Sequence, residues 1–86
     1  MGYELFFDDD FEEHIERFSA SERKLIYNKI DFLKNDPARA SLRTEKLFKG
    51  KKNEIWASSI NMGIRLIWKL EGNIIYIKDV GRHDVY

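Results

Sequence analysis

Basic residues concentrate in the middle of this sequence, where they could bind phosphate. Between residues 39 and 52 one acid, Glu45, accompanies six bases: Arg39, Arg43, Lys46, Lys49, Lys51 and Lys52. Cations that are concentrated on one segment attract a polyanion from a distance. The segment is therefore either a phosphate-binding strip or an ordinary solvated loop, and its composition fits both interpretations.

The residue best suited to proton transfer is His83, because imidazole titrates near neutral pH. Arg82 precedes it, and Tyr86 follows three residues later. Taken alone, such a histidine is more often a surface residue than a catalyst, and Tyr86 could simply pack against a sheet. His14, the other histidine, is expected on the surface of a helix.

The formal net charge is zero but unevenly distributed. Residues 1–22 carry eight acids and one base, whereas residues 23–86 carry seven acids and 14 bases. This asymmetry is typical of a protein with two faces that meet different partners, or simply of two solvated faces. Cysteine is absent, and the two histidines and scattered acids lack metal-ligand spacing. We therefore expect no disulfide, no metal and no cofactor.

The length and the segment pattern predict one domain over residues 1–86. A short strand at residues 3–7 precedes two helices. Asp8 to Asp10 suit the first turn of one helix, and Ser19 to Glu22 match a capping box that starts the other, which ends near residues 35–37. The predicted buried positions of this helical hairpin are Phe11, Ile15 and Phe18, then Ile26, Ile30 and Leu33, helped by Leu25 and Phe32.

After the basic segment the apolar period changes from about 3.6 to 2, which indicates strands. We predict strands at 55–60, 64–70 and 74–80, joined by turns at 61–63 and 71–73. The result is an α+β fold, an antiparallel sheet with helices on one face. The residues expected to face the helices are Ile64, Leu66, Trp68 and Leu70, which leaves Arg65 and Lys69 on the open face as candidate anion ligands.

The sequence lacks the features of secreted or membrane proteins. Its first residues contain no basic leader followed by an apolar run, and no apolar stretch approaches the roughly 20 residues of a membrane span. We expect a cytoplasmic protein without a membrane partner.

Three motifs resemble the RelE/ParE superfamily of toxins, specifically its RelE/YoeB-like messenger-RNA interferase branch. Residues 45–50 (Glu-Lys-Leu-Phe-Lys-Gly) form a Leu-x-Lys-Gly-type turn before a strand that contains Trp56. Residues 63–68 form a Gly-x-Arg-Leu-x-aromatic strand, and residues 81–86 read Gly-Arg-His-Asp-Val-Tyr. The resemblance covers nearly the whole chain and implies a RelE-like microbial RNase fold. It also implies a toxin neutralised by a cognate antitoxin.

For the endonuclease branch, the resemblance implies metal-independent cleavage of ribosome-bound mRNA. The reaction needs a base, an acid and cations around a crowded phosphorane. Arg65 would clamp the phosphate, and Arg82 would add a second cation. His83 would transfer protons, and Tyr86 would orient the nucleophile, stack on a base or donate a proton. Glu45 lies where some members have a general base. The residues expected to bind RNA or the ribosome are Arg43, Lys46, Lys49, Lys51, Lys52 and Lys69.

One departure from the branch keeps other functions open. Its members often carry further cations in the Trp-containing strand, where this chain has Ala57, Ser58 and Ser59. Losing them should weaken charge stabilisation, by about 2–4 kcal/mol if nothing compensates. The alternatives are a ParE-like inhibitor of DNA gyrase and a catalytically weakened module that binds RNA or an antitoxin.

Overall fold

A computed structural model describes residues 2–36, 44–49 and 54–82, and for residues 45–49 and 54 it describes the backbone. The elements run in the order β1 (Glu4–Phe7), α1 (Asp9–Ile15), α2 (Ala20–Asn35), β2 (Glu45–Lys49), β3 (Glu54–Asn61), β4 (Ile64–Glu71) and β5 (Ile74–Arg82). The five strands form one sheet in the order β1-β5-β4-β3-β2. Strands β2 to β5 pair antiparallel, and β1 pairs parallel to β5. The predicted α+β fold is confirmed, and the first strand makes its sheet mixed.

Side-chain caps start both helices where the sequence predicts them. Asp8 caps α1, since its Oδ1 accepts a hydrogen bond from the Asp10 amide at 3.1 Å. Ser19 and Glu22 form the reciprocal capping box of α2: Ser19 Oγ accepts from the Glu22 amide at 3.2 Å, and Glu22 Oε1 accepts from the Ser19 amide at 3.0 Å. Among the described residues, no helix is both long enough and apolar enough to span a membrane.

The core lies between the helices and one face of the sheet. It contains the six residues predicted to form the two helical stripes, and Leu25 packs against it partly buried, whereas Phe32, predicted to help bury α2, is 38% exposed. The sheet contributes Ile60, Ile64, Leu66, Trp68, Ile75, Ile77 and Val80. Leu70, predicted to join them, is 36% exposed near the end of β4. Helix α1 packs mainly against β5, and it meets α2 through the Phe11 and Tyr27 rings, which lie edge-to-face with centroids 6.1 Å apart. Each large apolar side chain that is fully buried in this core contributes about 1.5–3 kcal/mol to the stability of the fold.

Part of the basic segment is an edge strand rather than the predicted loop and Leu-x-Lys-Gly-type turn. Residues 45–49 form β2, which pairs with β3 and has a register shift between Lys46 and Phe48. Alternating hydrophobicity does not reveal this strand, because its sequence is Glu-Lys-Leu-Phe-Lys. Charged residues are common on edge strands, where they discourage pairing with other chains. The remaining bases of the segment, Arg39, Arg43, Lys51 and Lys52, lie outside the described residues.

Candidate functional site

Arg65 lies on the sheet face turned away from the helices. Its neighbours in β4, Ile64 and Leu66, are fully buried in the core, and side chains alternate along a strand, so Arg65 points to the opposite face as predicted. Its cross-strand partners are Ser59 in β3 and Gly81 in β5. One partner has a short hydroxyl side chain and the other has none. Arg65 itself is half-buried, and neither of these cross-strand neighbours carries a bulky side chain beside it.

Lys69 shares this face but lies farther along β4. Its cross-strand partners are Ile55 and Tyr76, and its Nζ is 2.7 Å from Glu71 Oε1. Four residues of strand separate the Cα atoms of Lys69 and Arg65 by about 13 Å. The backbone therefore does not place the two cations side by side, and Glu71 partly offsets the charge of Lys69.

The middle of the same face is apolar and buried. Ala57 and Ile67 are cross-strand partners there, with 1% and 6% of their surface exposed. The Cα of Glu45 is in register with Ala57, in the row adjacent to that of Ser59 and Arg65. From strand spacing and rise, the Cα atoms of Glu45 and Arg65 are roughly 12 Å apart. The backbone therefore permits Glu45 and Arg65 to serve one site, and the side chain of Glu45 lies outside the described atoms.

Arg82 points to the other face, toward the helices. Its Cα is in register with that of Ile64. Arg82 Nη1 donates to Glu22 Oε2 at 2.9 Å, Nη2 donates to Glu22 Oε1 at 3.4 Å, and the guanidinium carbon lies 4.8 Å from the centre of the Phe18 ring. The hydrogen bond from Arg82, followed by that from the Ser19 amide, lowers the pKa of Glu22 to about 2. The structure thus places Arg82 and Arg65 on opposite faces, although both were expected to contact one phosphate.

The Ala57-Ser58-Ser59 stretch divides between the two faces. Ser58 is fully buried on the helix side, where its Oγ accepts a hydrogen bond from Trp68 Nε1 at 2.9 Å and contacts Thr44 Oγ1 at 2.7 Å. A cation at Ser58 would be buried in the core, so this position does not belong to the site. Ser59 is half-buried, lies opposite Arg65 and is the most accessible of the three. Strand alternation from Trp56 to Ile60 was the signal that could have identified Ser58 as a core residue.

Both tryptophans belong to the helix side of the sheet, as expected of core aromatics. Trp68 is 2% exposed and Trp56 packs against the core, with the two rings stacked at 5.9 Å. His14, expected to be a simple surface residue, is half-buried with its Nδ1 2.6 Å from Asp79 Oδ1. It therefore ties α1 to β5.

Several predicted site residues fall outside what the structure describes, and their roles stay predictions. These are Arg43, Lys51, Lys52, His83 and Tyr86 as whole residues, and Glu45, Lys46 and Lys49 beyond their backbone. Within the described side chains, the candidate site therefore consists of Arg65 with Ser59 and Gly81 beside it and Lys69 farther along the same face.

Comparison with known proteins identifies the fold. No family model matches the chain, and no curated protein matches it in sequence. Solved structures do match over nearly the whole length. The archaeal RelE–RelB complex from Pyrococcus horikoshii OT3 contains a chain that is 14% identical, with a TM-score of 0.80 over 95% of this chain and 96% of that one. A YoeB/ParE toxin from Agrobacterium tumefaciens is 19% identical, with a TM-score of 0.76 over 93% and 98%. A chain of the Escherichia coli DinJ–YafQ toxin–antitoxin complex is 14% identical, with a TM-score of 0.75 over 99% and 97%. The chain has the RelE-like fold of these toxins.

Proposed function

We propose that this protein is the toxin of a type II toxin–antitoxin system and acts as a ribosome-dependent mRNA endonuclease. The observation that carries the proposal is the position of Arg65. On a RelE-like sheet it lies on the face opposite the helices, between the small residues Ser59 and Gly81. A planar guanidinium in such a place can hold two oxygens of one phosphate group at once.

The proposed reaction cleaves the RNA backbone without a metal. The 2′-oxygen of a nucleotide forms a bond to its own 3′-phosphorus while the bond from phosphorus to the next nucleotide's 5′-oxygen breaks. A base takes the 2′-hydroxyl proton and an acid gives a proton to the 5′-oxygen. Glu45 or His83 would serve as the base, and His83 or Tyr86 as the acid. Arg65 would stabilise the negative charge that develops on the phosphorane oxygens.

Arg82 has a different place in this proposal from Arg65. Its charge is already balanced by Glu22 on the helix side of the sheet, so it offers little stabilisation to an anion on the open face. The charge stabilisation therefore rests on Arg65, with the lysines of the basic segment and Lys69 binding more distant RNA or ribosomal phosphates.

The proposed partners are a cognate antitoxin, the ribosome and its message, in the cytoplasm. Two of the similar structures are toxin–antitoxin complexes, RelE–RelB and DinJ–YafQ, which supports the first of these partners. An antitoxin that covers the open face of the sheet would block access to Arg65 and so prevent cleavage.

The decisive experiment induces the chain without an antitoxin and maps messages by primer extension. We expect translation to stop and cuts to appear at fixed positions within codons. Arg65→Ala should lower the cleavage rate by about 10²–10³-fold, the usual effect of removing one donor to a developing oxyanion. Arg65→Lys should retain part of the rate, because a lysine supplies the charge without the planar fork.

Arg17→Ala is the matched control, since it removes an exposed arginine beyond the end of α1 and leaves the sheet unchanged. It should cleave as the unmodified protein does. Full cleavage by Arg65→Ala would contradict the role given to Arg65. Arrest of DNA replication with intact messages would instead point to gyrase and refute the endonuclease proposal.

A further inference from the structure

Strand β1 is one edge of the sheet, and half of its backbone groups face away from the neighbouring strand. The amides of Glu4 and Asp8 donate at 2.8 Å to carbonyls of β5 or of the turn before it. Consecutive residues of a parallel strand point their N–H and C=O groups to opposite sides, so those of Leu5 and Phe7 point outward. Within the described part of the chain these outward groups have no hydrogen-bond partner. The edge can therefore accept another strand.

Both faces of this edge carry exposed aromatic side chains. Phe6 is 54% exposed on the open face, where its ring stacks on that of Tyr76 with centroids 5.7 Å apart. Phe7 is 37% exposed on the helix side, with its ring centroid 5.1 Å from that of Phe11. The opposite edge, β2, reads Glu-Lys-Leu-Phe-Lys and so has the charges that usually discourage pairing. Strand β1 differs from β2 because apolar surface lies on each side of its unpaired backbone groups.

An acid without a partner lies at the start of the same edge. Glu4 is exposed and precedes Phe6 by two residues, so both side chains share the open face. Among the described residues the Glu4 carboxylate has no ion-pair partner, whereas Asp8 at the other end of the strand binds Lys78. The shallow groove along the edge is lined by Tyr3, Glu4, Leu5, Phe6 and Lys34. A base that lies opposite Glu4 would therefore gain an ion pair without displacing an existing one.

A second copy of this chain fits the edge poorly. Two copies of β1 can pair through all of their outward groups in one antiparallel register, which sets Phe6 opposite its own copy and Glu4 opposite the copy of Asp8. Like charges directly opposite each other destabilise a strand pair. A strand of four residues is also only about 13 Å long, so two such edges bury far less than the roughly 1,200 Å² of a stable interface. A longer segment with a base in place of that acid fits better.

We propose that the outer edge of β1 binds an extended segment of a partner protein, which pairs antiparallel and extends the sheet. From its amino end the segment has three apolar residues and then a base. The apolar residues lie opposite Phe7, Phe6 and Leu5 in turn. The base lies opposite Glu4. The second apolar residue continues the row of rings formed by Tyr76 and Phe6. Main-chain hydrogen bonds give such a complex its affinity, and alternate side chains give it specificity. The binding requires no endonuclease activity, so its test is independent of the proposed function.

Amide hydrogen exchange, measured by NMR on the whole chain, tests the pairing with a capped synthetic peptide, Thr-Val-Ile-Val-Lys-Thr. At saturating peptide, exchange of the Leu5 and Phe7 amides should slow by about tenfold or more, whereas the Phe6 amide, which already faces β5, should change little. N-methylation of the second valine, opposite Leu5, removes a pairing N–H and should abolish this protection. N-methylation of the isoleucine is the matched control, because its N–H points away from β1.

Reversing one charge on each side tests the base. Glu4→Lys should weaken binding of the lysine peptide about three- to tenfold in a chemical-shift titration. The same variant should bind a peptide with glutamate in place of that lysine better than the unmodified protein does. Glu13→Lys makes the same change at an exposed position of α1 and should bind both peptides as the unmodified protein does.

Three results would overturn the proposal. Unchanged exchange at Leu5 and Phe7, or an equal loss of binding with the two N-methylated peptides, would contradict the strand pairing. Equal affinity for the lysine and glutamate peptides in both the unmodified protein and Glu4→Lys would contradict a base opposite Glu4. Protection of Leu5 and Phe7 that grows with protein concentration in the absence of peptide would show a second copy on the edge instead of the proposed partner.

Discussion

Replacing Ser58 by alanine should destabilise the protein by leaving a buried indole without its acceptor. Trp68 is 2% exposed, and its Nε1 donates to Ser58 Oγ at 2.9 Å. Removing the acceptor of a buried donor costs about 1–3 kcal/mol. The lost contact with Thr44 adds little, because Thr44 is only half-buried and water can replace the hydroxyl there. In a domain of this size, about 2 kcal/mol lowers Tm by roughly 8–16 °C.

Urea unfolding followed by circular dichroism measures this cost, and a double-mutant cycle assigns it to the hydrogen bond. Trp68→Phe removes the donor, so Ser58→Ala should cost clearly less in that background, with a coupling energy of about 1–2 kcal/mol between the two positions. A cost for Ser58→Ala under about 0.5 kcal/mol, or an equal cost in both backgrounds, would refute the assignment of Ser58 to the core through Trp68.

Two further predictions concern charge. Ser59→Arg places a second cation opposite Arg65 and should raise the cleavage rate severalfold in the primer-extension assay. Ser58→Arg buries its charge in the core and should unfold the protein. A folded Ser59→Arg protein that cleaves more slowly would contradict the placement of the reaction on this face of the sheet. The pKa of Glu22 is lowered from 4.5 to about 2, chiefly by the hydrogen bond from Arg82, so its ionised form stabilises the fold fully above pH 4.5 and this contribution is lost as pH falls toward 2. The difference in unfolding free energy between the unmodified protein and Glu22→Gln should therefore shrink between pH 4.5 and 2, and a difference that stays constant would contradict the ion pair.

The helices and the core were predictable because each depends on a local pattern. The capping box at Ser19 and Glu22 is a spacing of three residues, and the buried stripes follow helical or strand periods. The place of β1 was not predictable in this way. It pairs with β5, about 70 residues later in the chain, and no local period records such a partner. Strand β2 was missed for a different reason: its charged residues hide the alternation on which strand prediction depends.

Strand alternation predicted which sheet face a residue of the candidate site lies on, but it did not predict contacts with the helices. Alternation in β4 correctly assigned Arg65 to the open face, since Ile64 and Leu66 both enter the core. The partner of Arg82 depends on where a helix lies over the sheet. Nothing within the sequence near Arg82 indicates a contact with Glu22, 60 residues earlier. A residue's type suggests which chemistry it can do, but the layer it faces decides whether that chemistry is possible.

The two arginines at this end of the sheet illustrate how environment assigns roles to identical side chains. Their Cα atoms lie on neighbouring strands in adjacent register positions, yet their side chains leave opposite faces. Arg82 meets an acid that is already fixed by a helix cap, so its charge contributes to holding two layers together. Arg65 has Ser59 and Gly81 as its cross-strand partners on the face away from the helices, which is the face proposed to receive the phosphate. Glu22 is one of the eight acids in the first 22 residues, and another of them, Asp8, also pairs with a base of β5: its Oδ2 lies 3.1 Å from Lys78 Nζ.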